Sequence, residues 1–407
     1  MIHMRKNMEA LSRVIFLTGD SGDKKALIEQ MADIPAKEPF GDAAIAFLND
    51  LSKELMSSKE ARLYSDVITF AFWIRKGAVW KLKERFWTDR LTLGVGVVFH
   101  IAPSNVPVNF AYSLVSGLLT GNANIVRVPS KDFPQVRIIT DAIRKVLEEH
   151  EEMKPYVAVV RYGKDKEVND LFSSLCDVRV IWGGDQTIAE LRKSVLPSRS
   201  GEIAFADRYS FAVIDSDSYM DIEEKGRVAE SFYNDTFFSD QNACTSPRMI
   251  IWTGGRIHEA KERFWDEEQK IVEQKYEYRD IQGVDKLAGS YMLAANKTGI
   301  KIKRHKDNRI VRVMVSEITD DLMDYQGNSG YFLEYDCGNL MELWDLCNNK
   351  KCQTVAYIGK KECMLPLLKA GVRGIDRVVP VGKTMDFDLI WDGYDLTERL
   401  TRKVALL

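Results

Sequence analysis

From Leu93 onward the chain alternates short β-rich runs with longer amphipathic ones, and this alternation restricts it to a small set of folds. Residues 94–101, 124–128, 157–161 and 178–182 read as strands, with helical patterns at 106–120, 133–152 and 164–175 between them. Strands separated by helices of this length form a parallel sheet whose faces the helices cover. After a turn-rich break at Pro197–Gly201 the pattern resumes. Strands are expected at 211–214, 248–252, 310–315, 354–358 and 377–381, and helices at 223–238, 256–275, 340–347 and 361–370.

The expected fold class is therefore α/β, with two parallel-sheet domains. Residues 1–200 hold the first domain together with a helical N-terminal layer over about the first 90 residues. In that layer Leu63, Val67, Phe70, Ile74 and Trp80 recur near helical spacing, as a core-facing stripe does. Residues 201–380 form the second domain, and 381–407 a tail that returns to the first domain or covers a partner subunit. A chain of 407 residues with 45% hydrophobic content supplies two cores, at about 150 residues per domain.

Charge and cysteine usage exclude several function classes. The net charge is -3, with 57 basic and 60 acidic residues dispersed along the chain, so no basic face points to nucleic acid. The six cysteines (Cys176, Cys244, Cys337, Cys347, Cys352 and Cys363) form no CxxC pair, and the five histidines are scattered. That usage fits a reducing cytoplasm and no metal. The longest early apolar run, Val14–Leu17, is too short for a signal peptide, and nothing approaches the roughly 20 apolar residues of a membrane span.

Two loops carry candidate chemistry. In DQNACTSPR, Cys244 sits among turn-forming polar residues just before the apolar run Met249–Trp252. A loop on a rigid element is where reactive groups are placed, although a cysteine taken alone also serves as a small core hydrophobe. In IAPSNVP, Asn105 follows a strand and precedes a helix. Its amide N–H suits a developing oxyanion, and an asparagine there also serves as a helix cap. His100, just ahead, reads as a satisfied, half-buried histidine, and the other cysteines as core.

The fragments IAPSNVP, GNANIVRVPS, VVRYG, VIWGGD and QNACTSPR, in this order and at these separations, resemble the aldehyde dehydrogenase superfamily. Within it, GVGVVFHIAPSNVP, TGNANIVRVPS, CQTVAYIG and WDGYDLTERLTRKV are most similar to acyl-CoA reductases of the bioluminescence type, which make long-chain aldehydes. The resemblance covers Leu93 to the C-terminus. It implies an aldehyde-dehydrogenase-like fold with Cys244 as nucleophile and Asn105, with the Cys244 backbone N–H, as oxyanion hole. It also implies a nicotinamide cofactor across the carboxyl ends of the first sheet, lined by Pro103, Ser104, Arg127, Ser130, Lys131, Gly163, Trp182, Gly183, Gly184 and Asp185. Neither glycine cluster forms GxGxxG, so the usual dinucleotide mode is not expected.

Departures from that pattern carry direction. Where oxidative members hold a Glu-Leu-Gly-Gly-Lys stretch whose Glu activates water, this chain reads Phe205-Ala206-Asp207-Arg208-Tyr209. Glu202, three residues upstream, substitutes only if the loop is re-registered. A thioester that is hydrolysed needs a base for water, whereas one that is reduced needs water kept out. The expected activity is reduction of a fatty acyl-CoA to the aldehyde through an acyl-Cys244 intermediate, the thiol being a few per cent thiolate at neutral pH. Arg127 and Lys131 suit the 2′-phosphate of NADPH, with NADH the alternative and two solvated charges the bland reading. Competing activities are an NAD(P)-dependent aldehyde dehydrogenase and an acyltransferase-type carrier that uses Cys244 without hydride transfer. Expected partners are the acyl-CoA substrate, an acyl-activating or acyl-transferring protein, and further copies of the chain. Glu334 and Asp336 lie near where oxidative relatives hold the nicotinamide ribose, but the surrounding motif is absent, so neither is assigned a role.

Overall fold

The computed structural model describes residues 9–19, 23–86 and 90–406, and the chain divides into two units. The first comprises Met1–Ala206 with Tyr394–Leu407, the second Asp207–Gly393.

In the first unit the strands are β1 (Ile15–Phe16), β2 (Thr92–Gly94), β3 (Val97–Ile101), β4 (Ala123–Val128), β5 (Val157–Arg161), β6 (Val178–Trp182) and β7 (Gly201–Phe205). Six of them form one sheet in the order β1-β5-β4-β3-β6-β7, parallel except at the β1 edge. Every residue of β3 and β6 is buried, as a sheet covered by helices on both faces requires. The N-terminal layer is helical at Lys24–Asp33, Asp42–Ser57, Ser65–Trp73 and Lys76–Phe86. It buries Val67, Phe70 and Ile74 of the aromatic stripe but leaves Leu63 and Trp80 exposed.

The single strand expected at 94–101 is divided at Gly96. This residue adopts φ 132, and a Cβ there would meet the Asp177 carboxylate at 2.2 Å. β2 consequently turns away to pair with the C-terminal strand Thr401–Lys403. Asn122 holds this junction: its Oδ1 accepts from the Gly96 N–H at 3.0 Å, and its Nδ2 donates to the Leu400 carbonyl at 2.9 Å. Asn124 donates in turn to the Asn122 carbonyl at 2.7 Å. The Gly-Asn-Ala-Asn run is thus a buried polar clamp on the returning tail.

The break at Pro197–Gly201 does not close the first unit. β7 follows it at once as an edge of the first sheet, burying Ile203 and Phe205, so the unit runs to Ala206. Residues 381–393, expected in the tail, belong to the second unit.

The second unit holds β8 (Tyr209–Asp215), β9 (Pro247–Thr253), β10 (Lys301–His305), β11 (Ile310–Met314), β12 (Tyr331–Asp336), β13 (Cys352–Ile358) and β14 (Arg377–Pro380). They form a sheet in the order β10-β11-β12-β9-β8-β13-β14, parallel except for the edge strand β10. Alternate residues feed two cores. Phe211, Met249, Leu333 and Val355 pack on one face of the sheet, and Ala212, Ile250, Trp252 and Phe332 on the other.

Sequence reasoning missed β10, β12 and the helix Asp280–Asn296. That helix buries Lys286, Ser290 and Leu293 while Ile281, Val284, Tyr291 and Met292 are exposed, which inverts the expected pattern. Lys286 tolerates burial because its ammonium donates to the carbonyls of Ser329 at 2.6 Å and Arg309 at 2.9 Å. In β12, Glu334 is a fully buried core residue. It accepts from the indole N–H groups of Trp252 at 2.9 Å and Trp265 at 2.8 Å, and from Arg312 Nε at 2.9 Å. Asp336 pairs with Lys261.

Candidate active site

Cys244 lies on the loop between the helix Lys225–Asp235 and β9. Asp240 and Gln241 both take φ 53, folding the chain tightly ahead of the cysteine. The loop is tied down at several points. Gln241 donates to the Pro247 carbonyl at 3.1 Å and accepts from the Gly330 N–H at 2.7 Å. Arg248 donates to the Gln241 carbonyl at 2.6 Å, and Ser210 Oγ to the Cys244 carbonyl at 2.8 Å. Ser210 Oγ also accepts from the Thr354 N–H at 3.2 Å, so β8, β13 and the cysteine loop share one hydroxyl.

Both neighbours of β8 are irregular at this point. On β9, Pro247 opposes Ser210 and Met249 opposes Phe211, which leaves Arg248 as an extra residue. On β13, Cys352 opposes Tyr209 and Val355 opposes Phe211, so Gln353 and Thr354 share the place of Ser210. Bulges of this kind re-aim side chains. Gln353 is fully buried and donates to Asp392. Arg208 pairs with Asp376, and Arg377 stacks over Trp391 at 4.2 Å. None of these residues was singled out from sequence, although Gln353 and Asp392 lie inside CQTVAYIG and WDGYDL.

Burial pushes the Cys244 thiol up to about 12, and the nearby Asp392 carboxylate adds to the shift; Gln353 and Arg208 oppose it. Because Cys244 is itself only partly buried, the shift is read as a direction: fewer resting thiolates than an ordinary thiol holds. Asp392 is itself raised to about 6, chiefly by burial.

Glu202 is not a displaced water base. It sits on β7 and accepts from Arg179 at 2.6 Å and Arg192 at 2.7 Å, so both carboxylate oxygens are committed. Of the stretch aligned with the oxidative motif, Phe205 stacks on Trp182 at 3.7 Å and Asp207 is exposed.

The residues assigned to a cofactor all lie in the first unit, at or just beyond the carboxyl ends of β3, β4, β5 and β6, the edge where ligands of such sheets bind. Pro103, Ser104 and Asn105 form the loop from β3 to the helix Asn109–Leu119, with Ser104 and Asn105 exposed. Arg127 stacks on Tyr162 at 4.7 Å and donates to the carbonyls of Tyr162 at 3.4 Å and Gly163 at 3.1 Å, so it is not a solvated charge. Ser130 Oγ donates to the Tyr162 carbonyl at 3.3 Å, and Lys131 is exposed over the Phe133 ring. Gly163 faces open space. Trp182 is packed inside and donates to Ser113 Oγ at 3.1 Å, which leaves Gly183, Gly184 and Asp185 as the presented part of that turn.

His100 is buried between Ser113 Oγ at 2.7 Å and Asn124 Oδ1 at 3.0 Å, and burial lowers it to about 4, so it is a neutral structural group. Among the described residues no three His, Cys, Asp or Glu side chains form a metal cluster, and no helix is long and apolar enough to cross a membrane.

The model of the acyl-CoA reductase (LuxC) family matches residues 80–403. The chain is 28% identical to a long-chain acyl-protein thioester reductase of Vibrio harveyi over 46% of this chain and 36% of that one. It is 24% identical to the enzyme of that name from Photobacterium phosphoreum, over 76% and 62%. It thus spans about half the length of the curated relatives it matches. Among solved structures, an NAD-dependent aldehyde dehydrogenase from Sinorhizobium meliloti superposes with a TM-score of 0.65 at 13% identity, over 92% of this chain and 84% of that one. A 1-pyrroline-5-carboxylate dehydrogenase mutant from Thermus thermophilus gives 0.61 at 14% identity, over 93% and 82%. These likenesses establish the two-sheet architecture as an aldehyde-dehydrogenase-like fold. With a family model matched from residue 80 to residue 403, the chain belongs to the acyl-CoA reductase (LuxC) family.

Proposed function

We propose that the protein reduces a fatty acyl thioester, supplied as acyl-CoA, to the aldehyde with NADPH through an acyl-Cys244 intermediate. The observation that carries this reading is a thiol on a firmly tied loop, in a chain whose nearest substitute for the missing water base, Glu202, is neutralised by two arginines. An acyl-enzyme without a base for water is suited to receive hydride. Cys244 Sγ attacks the thioester carbonyl, CoA leaves as its thiolate, and Asn105 with the Cys244 backbone N–H stabilises the oxyanion.

The first unit fits a nicotinamide dinucleotide. Gly163 leaves the backbone approachable, the Gly183–Gly184 turn is partly exposed, and exposed Ser104 and Lys131 supply polar contacts at the same sheet edge. Bound there, the cofactor supplies the hydride. Lys131 is the cation left to meet a 2′-phosphate, because Arg127 is spent on two carbonyls.

The test is cofactor oxidation with acyl-CoAs of graded length, with the aldehyde measured directly. Equimolar NADPH consumption and aldehyde formation, slower with NADH, is the expected result. CoA release without cofactor consumption would establish the acyltransferase reading instead, and faster oxidation of aldehyde to acid would establish the dehydrogenase.

A further inference from the structure

The helix Asp280–Asn296 carries an apolar outer face. Ile281, Val284, Tyr291 and Met292 are between 59% and 62% exposed, and Ala288 and Ala295 are exposed as well. Ile281, Val284, Ala288, Tyr291 and Ala295 follow one another at alternating spacings of three and four, the seam of a helix that packs on a helix. The helix is not free to turn this seam inward. Leu293 and Lys286 anchor its other face, the Lys286 ammonium donating to the Ser329 and Arg309 carbonyls. Along one flank of the seam, Val284 and Leu287 form a groove of about 300 Å³ with Ile302 and Arg304 of the edge strand β10. An apolar surface this continuous marks a contact site.

The surroundings narrow down what covers it. Exposed charges at Lys301 and Arg304 disfavour the addition of a strand to β10. Exposed Asp280 and Asp285 flank the seam and disfavour an anionic lipid surface. A second copy of the same helix fits. Laid antiparallel about a twofold axis through Ala288, Ile281 opposes Ala295 of the second copy, Val284 opposes Met292, and Ala288 opposes itself. The small residue on the axis lets the two helices approach closely. Tyr291 lies one turn beyond Leu287 and two beyond Val284, so it leaves the helix on the flank that borders the groove. In the antiparallel pair it arrives level with Asp285 of the other copy, where Val284, Leu287 and Ile302 wall the groove. Arg304, beside the start of the helix, then faces the C-terminal turn of the other copy, the negative end of that helix's dipole.

We propose that this face is a contact between two copies of the chain in solution, with the helices Asp280–Asn296 packed antiparallel and each Tyr291 seated in the groove of the other copy. A helix of 17 residues is about 25 Å long. With one groove it buries less than the roughly 800 Å² per partner of a standard interface, so association depends on concentration in the micromolar range.

Ala288→Glu sets two like charges on the axis, at an exposed position and with a good helix former, so melting should not change. Sedimentation velocity of the full chain between about 5 and about 200 μM spans such an association. The wild type should double in mass over this range and Ala288→Glu should not, whatever mass other surfaces already hold together. Tyr291→Ser should weaken the same step about tenfold. Under mild oxidation Ala288→Cys should form a thiol-reversible dimer, whereas Ala294→Cys, turned away from the axis, should not. Identical mass distributions in wild type and Ala288→Glu overturn the proposal, and so does equal cross-linking of the two introduced cysteines.

Discussion

Replacing Cys244 with alanine is expected to lower aldehyde formation by on the order of 10⁴-fold or more, and to abolish covalent acyl loading, with little change in stability. The size of the effect follows from the covalent route, which has no bypass once the attacking atom is gone. Stability should hold because the loop is fixed by Gln241, Arg248 and Ser210, whose bonds run through backbone carbonyls and amides that the substitution leaves intact. The pH dependence has a definite sign. With the thiol pushed up to about 12, loading of the wild type should rise about tenfold per pH unit through the neutral range, since only the thiolate attacks. A Cys244→Ala protein that still forms a thioester adduct would move the nucleophile elsewhere. Stopped-flow loading rates and peptide mapping check both points.

Glu334→Ala is expected to destabilise the second unit by about 3–5 kcal/mol. Glu334 and Arg312 are both essentially inaccessible, and the carboxylate also accepts from two tryptophan indoles. Removing it leaves two indole N–H donors unpaired in a dry core and Arg312 with only the longer Glu262 contact at 3.4 Å, which costs more than the ion pair contributes. The paired change Glu334→Leu with Arg312→Met removes both charges and should recover most of the loss. Urea unfolding followed by tryptophan fluorescence reads the effect next to the altered residues. A loss below about 1 kcal/mol in Glu334→Ala would show that the site takes up water, against the burial seen here.

Legibility in the sequence followed from how local each determinant is. β5 and β6 fall at the expected residues, 157–161 and 178–182, because strands buried on both faces are written as continuous apolar runs. The helix Asp280–Asn296 was missed because its buried face carries Ser290, which bonds back to the Lys286 carbonyl, and Lys286, whose partners Ser329 and Arg309 arrive from distant loops. Similarly, β12 hides a charge in the core, and its neutralising partners lie on β9, on β11 and on the helix Ile257–Lys275.

The candidate site divides along the same line. Cys244 announces itself by polar, turn-forming neighbours in an otherwise apolar stretch. Gln353 and Asp392 do not, because they approach the thiol only through sheet bulges and a left-handed residue that no local pattern encodes. Glu202 could be dismissed only once Arg179 and Arg192 were seen to hold it. The thiol's protonation state also lay beyond the sequence, since it depends on burial and on groups such as Asp392 and Arg208 that are far away in the chain.

The central claim is that an acyl group on Cys244 is discharged by hydride and not by water. The most direct measurement loads the full chain with a labelled acyl-CoA, maps the adduct by peptide mass spectrometry, and chases it with NADPH deuterated at the transferable position. An adduct is expected on the peptide containing Cys244, with release as aldehyde carrying one deuterium at the carbonyl carbon. Release as fatty acid without deuterium, or an adduct that persists through the chase, would contradict the claim.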